Sequence, residues 1–327
     1  MDVFDVKIET NKKFIHEKFI MKLKNIVLSI LLSSSVTIPS IVYAEDVPFS
    51  QELVEQAKSG NAEAQNNLGD AYYYGNDVDQ DFGKALEWFK KSAAKGNADA
   101  LFSVGYMYDY GEGTEEDNLT ALKWYTQAAQ KGQLYAQYYL GFLYLYGDEG
   151  VGVNSKKGLE WMTKSADGGL DLAQAELGHL YNDGSDGVTQ DFKKALHYYQ
   201  LAVKQDEPTA INNLGIFYLE GKGGIKQDYK EALRLFTLAS EADNGLGSSN
   251  IAYIYEEGKG VVKNYKKAAE YYELAVDQGE NECLLDLARI YEKGGFGLKQ
   301  DLKKSKEYEA QWDEIQSSRS EENTSEL

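Results

Sequence analysis

Apolar positions in this chain fall on a repeating grid. Leu, Ile or Val is followed by Gly or Ala, then by Tyr three residues on and Gly three after that. This occurs at Leu68-Gly69-Tyr72-Gly75, Val104-Gly105-Tyr108-Gly111, Leu140-Gly141-Tyr144-Gly147, Leu177-Gly178-Tyr181-Gly184, Leu214-Gly215-Tyr218-Gly221, Ile251-Ala252-Tyr255-Gly258 and Leu287-Ala288-Tyr291-Gly294. Successive copies lie 36 or 37 residues apart. Four residues before each Leu stands a small side chain, as at Ala64, Ala100 and Ala136, and three after it an apolar one, as at Ala71, Met107 and Leu143. At 100° per residue these share one stripe, which predicts an amphipathic helix, helix A of each repeat. The small residue at the Gly69 position lies on the edge of that stripe and reads as a point of close approach. Past the closing Gly comes Asp81, Asp117, Asn154, Asp191, Asp228, Asn264 or Asp301, whose side-chain oxygens suit a helix N-cap. A second apolar stripe follows, as in Phe82, Ala85, Leu86, Phe89 and Ala93, so each copy finishes with helix B. Several of these end at a glycine such as Gly96, Gly132, Gly169 or Gly279. The one-residue change in period falls in the A–B loop, which is expected to face solvent and tolerate insertion.

A fixed period of this length marks a solenoid, in which one helical pair cannot bury its apolar face without neighbours. The run Ala173, Leu177-Gly178, Tyr181, Gly184, then Asp191-Phe192, Lys194-Ala195-Leu196 and Tyr198-Tyr199 resembles the Sel-one-like repeat family, a branch of the tetratricopeptide-like solenoids. The resemblance implies an all-α fold, a right-handed α-solenoid of about seven stacked helix-turn-helix repeats. Ala252 and Ala288 replace the motif Gly, and Gly158 and Ser305 replace the helix B Ala; these departures are expected to loosen individual turns.

Leu53, Ala57 and Gly60 align one period ahead of Phe89, Ala93 and Gly96, so 45–60 is expected to cap the solenoid at its start, with the repeats over 61–312. Upstream, Met21-Lys22-Leu23-Lys24, the apolar run from Ile26 to Ile41 and Val42-Tyr43-Ala44 have the charged, apolar and small-residue regions of a secretory signal over 21–44. Ser33, Ser34, Ser35, Thr37 and Pro39 interrupt the apolar run, which argues against a spanning helix. Cleavage near Ala44 would deliver a periplasmic or secreted protein. Residues 1–20 then read as an extension created by a start placed too early, and 313–327 as a disordered or artefactual tail.

The formal charge is −19 and the isoelectric point near 4.7, which argues against nucleic acid and anionic membrane surfaces. A cationic or neutral partner fits this balance, and so does a surface charged for solubility. Cys283 is the only cysteine and stands where other repeats have Ala, so a small buried residue is expected and no disulfide within the chain can form. His16, His179 and His197 neighbour no nucleophile and form no ligand-spaced set. Asp77-x-Asp79-x-Asp81 begins like a calcium loop, yet Phe82 stands where that loop needs Gly and Trp88 where it needs Glu. Gly221, Gly223 and Gly224 follow no strand and make no phosphate cradle. No catalytic, cofactor or metal site is expected.

The aromatics divide in two. The motif tyrosines, Tyr72 to Tyr291, are expected in the core. With Leu68 at 0°, the positions of Asn66, Asp70 and Tyr74 fall near 160°, 200° and 240°, away from the core stripe. In the second and third repeats they hold Phe102, Tyr106, Tyr110 and Tyr138, Phe142, Tyr146; in the fourth they hold Ala175, His179, Asp183. The resemblance implies that helix A lines a concave face, where six aromatics would form a contact site. Packing between neighbouring A helices and self-association are the competing accounts. The function expected is a non-catalytic scaffold in the bacterial envelope that captures a protein or peptide. The resemblance to cysteine-rich relatives suggests two alternatives, peptidoglycan or glycan binding and a β-lactam hydrolase-like activity, and the missing cysteine pairs count against the second.

Overall fold

The structure is a computed structural model that describes residues 49–147, 151–185 and 187–325, with side chains through Ser318. The expected extension over 1–20 and signal over 21–44 lie outside the described residues. Fifteen α-helices, one short 3-10 turn and no strand make up the described chain. The first is α1 (Gln51–Ser59). Seven A–B pairs follow: α2 (Ala62–Tyr74) with α3 (Phe82–Ala93), α4 (Ala98–Asp109) with α5 (Asn118–Gln130), α6 (Leu134–Tyr146) with α7 (Ser155–Asp167), α8 (Asp171–Asp183) with α9 (Phe192–Val203), α10 (Pro208–Glu220) with α11 (Tyr229–Glu241), α12 (Gly245–Glu257) with α13 (Tyr265–Asp277), and α14 (Cys283–Lys293) with α15 (Leu302–Ser325). This is an all-α solenoid. One compact unit ends at Trp161, within α7, and a second begins at Met162.

Most of these helices start where a side chain takes an orphan amide of the first turn; the caps of α8 and α14, Leu170 and Glu282, make no such bond. Asp81, Asp117, Asn154, Asp191, Asp228, Asn264 and Asp301 all accept such N–H groups at the heads of the B helices. Asn61, Asn97, Gln133, Glu207 and Asn244 do the same for A helices. The A–B corner is closed by a single repeated bond. In every repeat the amide of the helix B cap donates to the carbonyl of the motif tyrosine, from Asp81 to Tyr72 at 2.8 Å through Asn154 to Tyr144 at 2.7 Å to Asp301 to Tyr291 at 2.9 Å. Where Gln precedes the cap, as at Gln80, Gln190, Gln227 and Gln300, its amide takes the carbonyl one residue beyond that tyrosine.

The close-approach positions receive rings. A Cβ added at Gly69 would stand 2.6 Å from the Phe89 ring, at Gly105 2.8 Å from Tyr125, at Gly178 2.5 Å from Tyr199 and at Gly215 2.6 Å from Phe236. The helix B aromatic therefore lies flat on the bare backbone of helix A. Gly158, expected to loosen its turn, does the opposite: a Cβ there would fall 2.6 Å from the Leu145 side chain and 2.9 Å from the Gly141 carbonyl. It brings α7 down onto α6.

Most motif tyrosines are half-buried rather than core; only Tyr181 and Tyr291 are buried. They lie in the A–B groove, stacked on helix B rings as in Tyr181 on Tyr198 at 5.9 Å and Tyr255 on Tyr271 at 6.0 Å. A lysine ammonium covers the outer face: Lys84 over Tyr72, Lys157 over Tyr144, Lys194 over Tyr181, Lys267 over Tyr255 and Lys304 over Tyr291, at 4.7 to 5.2 Å. Each lysine is the third residue after its cap, and its stem buries against the ring while the charge stays wet.

The A–B loops are not free excursions into solvent. Gly113 lies against the Phe82 backbone, Gly223 against Phe192 and Leu196, and Gly260 against Tyr229, so each of these loops crosses onto helix B of the preceding repeat. All three glycines have φ near +70°, a conformation that L side chains rarely adopt. The last loop keeps the contact with Phe296 at φ +48°, its carbonyl accepting from Tyr265 N–H at 2.9 Å and its ring 5.0 Å from that of Tyr265. Leu302 opens α15 at the position of these seats and is 55% exposed. Residues 313–325, within the stretch read as a disordered or artefactual tail, continue α15 as helix to Ser325. No Gly or Pro follows Gly297, so nothing in that stretch breaks it. Cys283 is buried as a free thiol, pushed up to about 11 by burial.

Two outcomes are expected. Gly178→Ala should cost ~1–3 kcal/mol in urea melts because Tyr199 must move, whereas Gly152→Ala, with nothing within 4 Å, should stay within ~0.5 kcal/mol; equal losses would remove the ring-on-glycine account. Glu207, 8% exposed, has its carboxyl raised above 4.5 by burial, against its two cap bonds. A raised folded pKa gives stability that is full below the unfolded value and lost as pH rises through the folded one. Glu207→Gln keeps a cap of the Gln133 kind, so at pH 7 it should melt about 2–4 °C higher than wild type, with the gap closing toward pH 4.5. A lower melting point at pH 7 would contradict this.

Candidate binding face

Phe102, Tyr106 and Tyr110 follow one another along α4, with ring centroids 6.2 Å apart for the first pair and 4.4 Å for the second. Phe142 and Tyr146 lie 4.5 Å apart on α6. These five are half-buried, while Tyr138 is 4% exposed. The reading that all six point away from the core therefore fails at Tyr138, and it fails in part at Phe102, whose ring packs 5.6 Å from Tyr125 and 6.0 Å from Tyr135. Stacking sets one A helix beside the next, so the side of helix A opposite helix B is partly covered by its neighbour.

Tyr139 organises the cluster. Its ring stacks on Tyr125 at 5.4 Å and stands 5.6 Å from Phe102, 6.4 Å from Tyr106 and 5.7 Å from Tyr138, joining the α4 row to α6. Sequence reasoning passed over it. The signal was present: at this place in the motif the other repeats carry Asn67, Ser103, Glu176, Asn213, Asn250 and Asp286, so an aromatic is out of character.

The electrostatics of the face are one-sided. Helices α2, α4 and α6 contain no Lys, Arg or His, and they carry Glu63, Asp70, Asp99 and Asp109. Tyr125 donates to Asp109 Oδ2 at 3.0 Å, Tyr73 donates to Glu112 Oε2 at 2.6 Å, and Asn66 donates to Asp70 Oδ2 at 2.9 Å. Burial, reinforced by Asp109, pushes the Tyr125 phenol well above its ordinary range; burial with Tyr110 and Tyr106 alongside does the same for Tyr139. Both stay neutral at physiological pH, so the only formal charges on these A helices are negative.

In the second unit the same positions change character. His179 and Asp183 on α8 sit 3.5 Å apart, Asn250 donates to Asn212 at 2.8 Å, and Arg289 pairs with the buried Glu256 carboxylate, which Tyr272 also reaches at 2.9 Å. Burial alone would raise Glu256; the Arg289 and Tyr272 bonds outweigh it and hold the carboxyl low. No group of His, Cys, Asp and Glu among the described residues is placed to hold a metal ion, and no described helix is long and apolar enough to cross a membrane.

The Sel1 repeat model matches seven consecutive spans, 62–97, 98–133, 134–170, 171–207, 208–244, 245–280 and 281–308. The chain belongs to the Sel1 repeat family. Among solved structures, these Sel1 repeats are similar to a Sel1 repeat protein from Oxalobacter formigenes, with 26% identity, 76% of this chain and 96% of that one covered, and a TM-score of 0.69. They are also similar to c5321, a protective antigen present in uropathogenic Escherichia coli strains that displays an SLR fold, at 30% identity with 81% of this chain covered and a TM-score of 0.55. The match spans 64% of the length of c5321. No curated protein matches the chain.

Removing the ring that joins the two Sel1 repeats tests the cluster. Tyr139→Ala should cost about 3 kcal/mol in denaturant melts, as core aromatic truncations do, and Tyr146→Ala at the row's end clearly less. Equal costs would mean that Tyr139 is no more central than the rest.

Proposed function

We propose that this Sel1-repeat chain is a non-catalytic scaffold that holds a protein or peptide segment against the α4 and α6 rows, in the bacterial envelope to which the 21–44 signal would deliver it. The family is typically one of protein–protein interaction scaffolds. The observation that carries the choice of face is the run of five half-buried rings, Phe102, Tyr106, Tyr110, Phe142 and Tyr146, on consecutive A helices, with Tyr138 and Tyr139 supporting them from beneath. Rigid aromatic side chains supply large contact area at low entropic cost and dominate protein contacts. A sugar would want a flat, open platform, and Tyr106 and Tyr110 are tilted by 33° at 4.4 Å, which suits interdigitating side chains better.

The double variant Tyr106→Ala with Phe142→Ala should keep its helical circular dichroism and lose partner capture from the native envelope. Two anchors at ~2 kcal/mol each correspond to roughly a thousandfold loss for a micromolar partner. Undiminished capture by a folded double variant would move the site to the second unit, where Asp183, Glu220 and Glu257 occupy the ends of α8, α10 and α12.

A further inference from the structure

A net charge does not say where the charges sit, and in the second unit they are sorted by corner. The A–B corners at 221–231, 258–267 and 294–304 hold ten lysines and three carboxylates, and two of the three, Asp228 and Asp301, are helix caps. The B–A corners at 204–207, 241–244 and 277–282 reverse the balance, with seven carboxylates and one lysine. Each of these A–B corners rests on the helix B start before it, Gly223 on Phe192, Gly260 on Tyr229 and Phe296 on Tyr265. The basic corners therefore succeed one another along one edge of the unit.

The lysines at the middle of this edge are seated on rings rather than on carboxylates. Lys263 stands 5.4 Å from the Tyr265 ring centroid and 5.1 Å from that of Phe296, and Lys293 stands 5.6 Å from Tyr265, so two ammoniums converge on one buried ring. Lys259 lies 5.4 Å from Tyr253 and Lys267 4.8 Å from Tyr255. Among the described residues the ion pairs of the second unit take His179, Lys222, Arg234, Arg289 and Lys303, and none takes these four lysines. The buried Glu256 carboxylate near Lys263 and Lys293 is already held by Arg289 and Tyr272, and Glu257 near Lys259 is exposed and forms no ion pair. A ring attracts a cation without cancelling its charge, so the edge keeps its positive potential with the ammoniums at set positions. The phenols of Tyr253 and Tyr265 raise Lys259 and Lys293 further above the ordinary lysine range.

We infer that this edge is a second interaction surface and that its occupant is an acidic polypeptide segment, whose Asp and Glu carboxylates meet Lys259, Lys263, Lys267 and Lys293. The face on α4 and α6 takes no part in it. Lysine presents a compact point charge, and a row of such charges suits a flexible acidic chain that adjusts to each in turn. The rings beneath are occupied by the ammoniums, which leaves no platform for stacking the bases of a single strand. A membrane or a duplex would extend past the edge to the carboxylates of the B–A corners, in a chain whose net charge is −19, and would be repelled there. A short acidic segment ends before it reaches them. Complementarity of this kind sets which partner is accepted and how fast it arrives.

The test uses the full chain and two fluorescein-labelled peptides of about twelve residues, ~40 Å when extended, one a Glu-Ser repeat and the other a Gln-Ser repeat. A labelled oligothymidylate of the same length is the third probe. By fluorescence anisotropy in dilute salt the Glu-Ser peptide should bind at least tenfold tighter than either of the others, and rising salt should weaken the complex. Lys263→Gln with Lys293→Gln, which keeps most of each stem and removes two charges, should cost at least fivefold. Lys58→Gln with Lys204→Gln removes the same charge from B–A corners and should change affinity less than twofold. Tyr106→Ala with Phe142→Ala should leave the peptide affinity unchanged, since it alters only the other face. Equal binding of the Glu-Ser and Gln-Ser peptides would overturn the inference, as would equal losses from the two lysine pairs. Oligothymidylate binding as tight as that of the Glu-Ser peptide would replace the acidic segment with a nucleic acid. Sedimentation velocity supplies the remaining check: self-association that Lys263→Gln with Lys293→Gln abolishes, with no peptide bound, would make the occupant a second copy of the chain and overturn the inference.

Discussion

One hydrogen bond recurs in every repeat and sets the rest of its geometry. The amide of the helix B cap donates to the motif tyrosine carbonyl at 2.7 to 2.9 Å. That bond fixes where helix B begins, and the cap side chain then fixes its direction by taking the first-turn amides. With start and direction set, the helix B ring arrives over the motif glycine, as Phe89 does over Gly69 and Tyr199 over Gly178. The same tyrosine offers its ring to a lysine three residues past the cap. Carbonyl, cap, ring and lysine form one local unit that needs no distant part of the chain.

That locality explains which parts were legible in the sequence. Leu68, Gly69, Tyr72, Gly75 and Asp81 each act within one repeat, so their spacing carried helices, caps and close approaches directly. Tyr138 and Phe102 were misjudged because a helical wheel holds one helix, and their surroundings come from the neighbouring A helix. Gly158 looked like a flaw when compared with Ala85 or Ala195, since its partner Leu145 belongs to the preceding helix. The A–B loops deceived for a related reason. Composition described Gly111 to Asp117 as a polar connection and gave no sign that Gly113 would rest on Phe82.

The two sides of helix A carry the same residue type under different terms. Toward helix B, tyrosines such as Tyr181 and Tyr291 are stacked and covered by lysines of their own repeat. On the other side Tyr106 packs tilted against Tyr110 and Phe142 against Tyr146, and Tyr106 also meets Tyr139, which stacks on Tyr125. Resting the proposed contact surface on Tyr125 and Tyr139 rather than on a loop would give it stiffness, because those rings are held by neighbours on two helices. The Asn and Glu256–Arg289 networks at the matching positions of α10 to α14 show that the scaffold accepts quite different chemistry there without altering its repeat geometry.

The loop that crosses onto the preceding helix B gives the chain a direction under load. A tension applied at the C-terminal end of the second unit would first draw on the Phe296 to Tyr265 bond and the ring contact beside it. Once these part, the load falls on the remaining ties of repeat seven to repeat six, among them Arg289 to Glu256 and Tyr308 to Glu273, and when those yield the repeat can lengthen by on the order of 120 Å of extended chain, bringing the force to the next loop at Gly260 and Tyr229. Extension of such a tether would proceed in steps of one repeat. Each such loop is the first contact to open in its step.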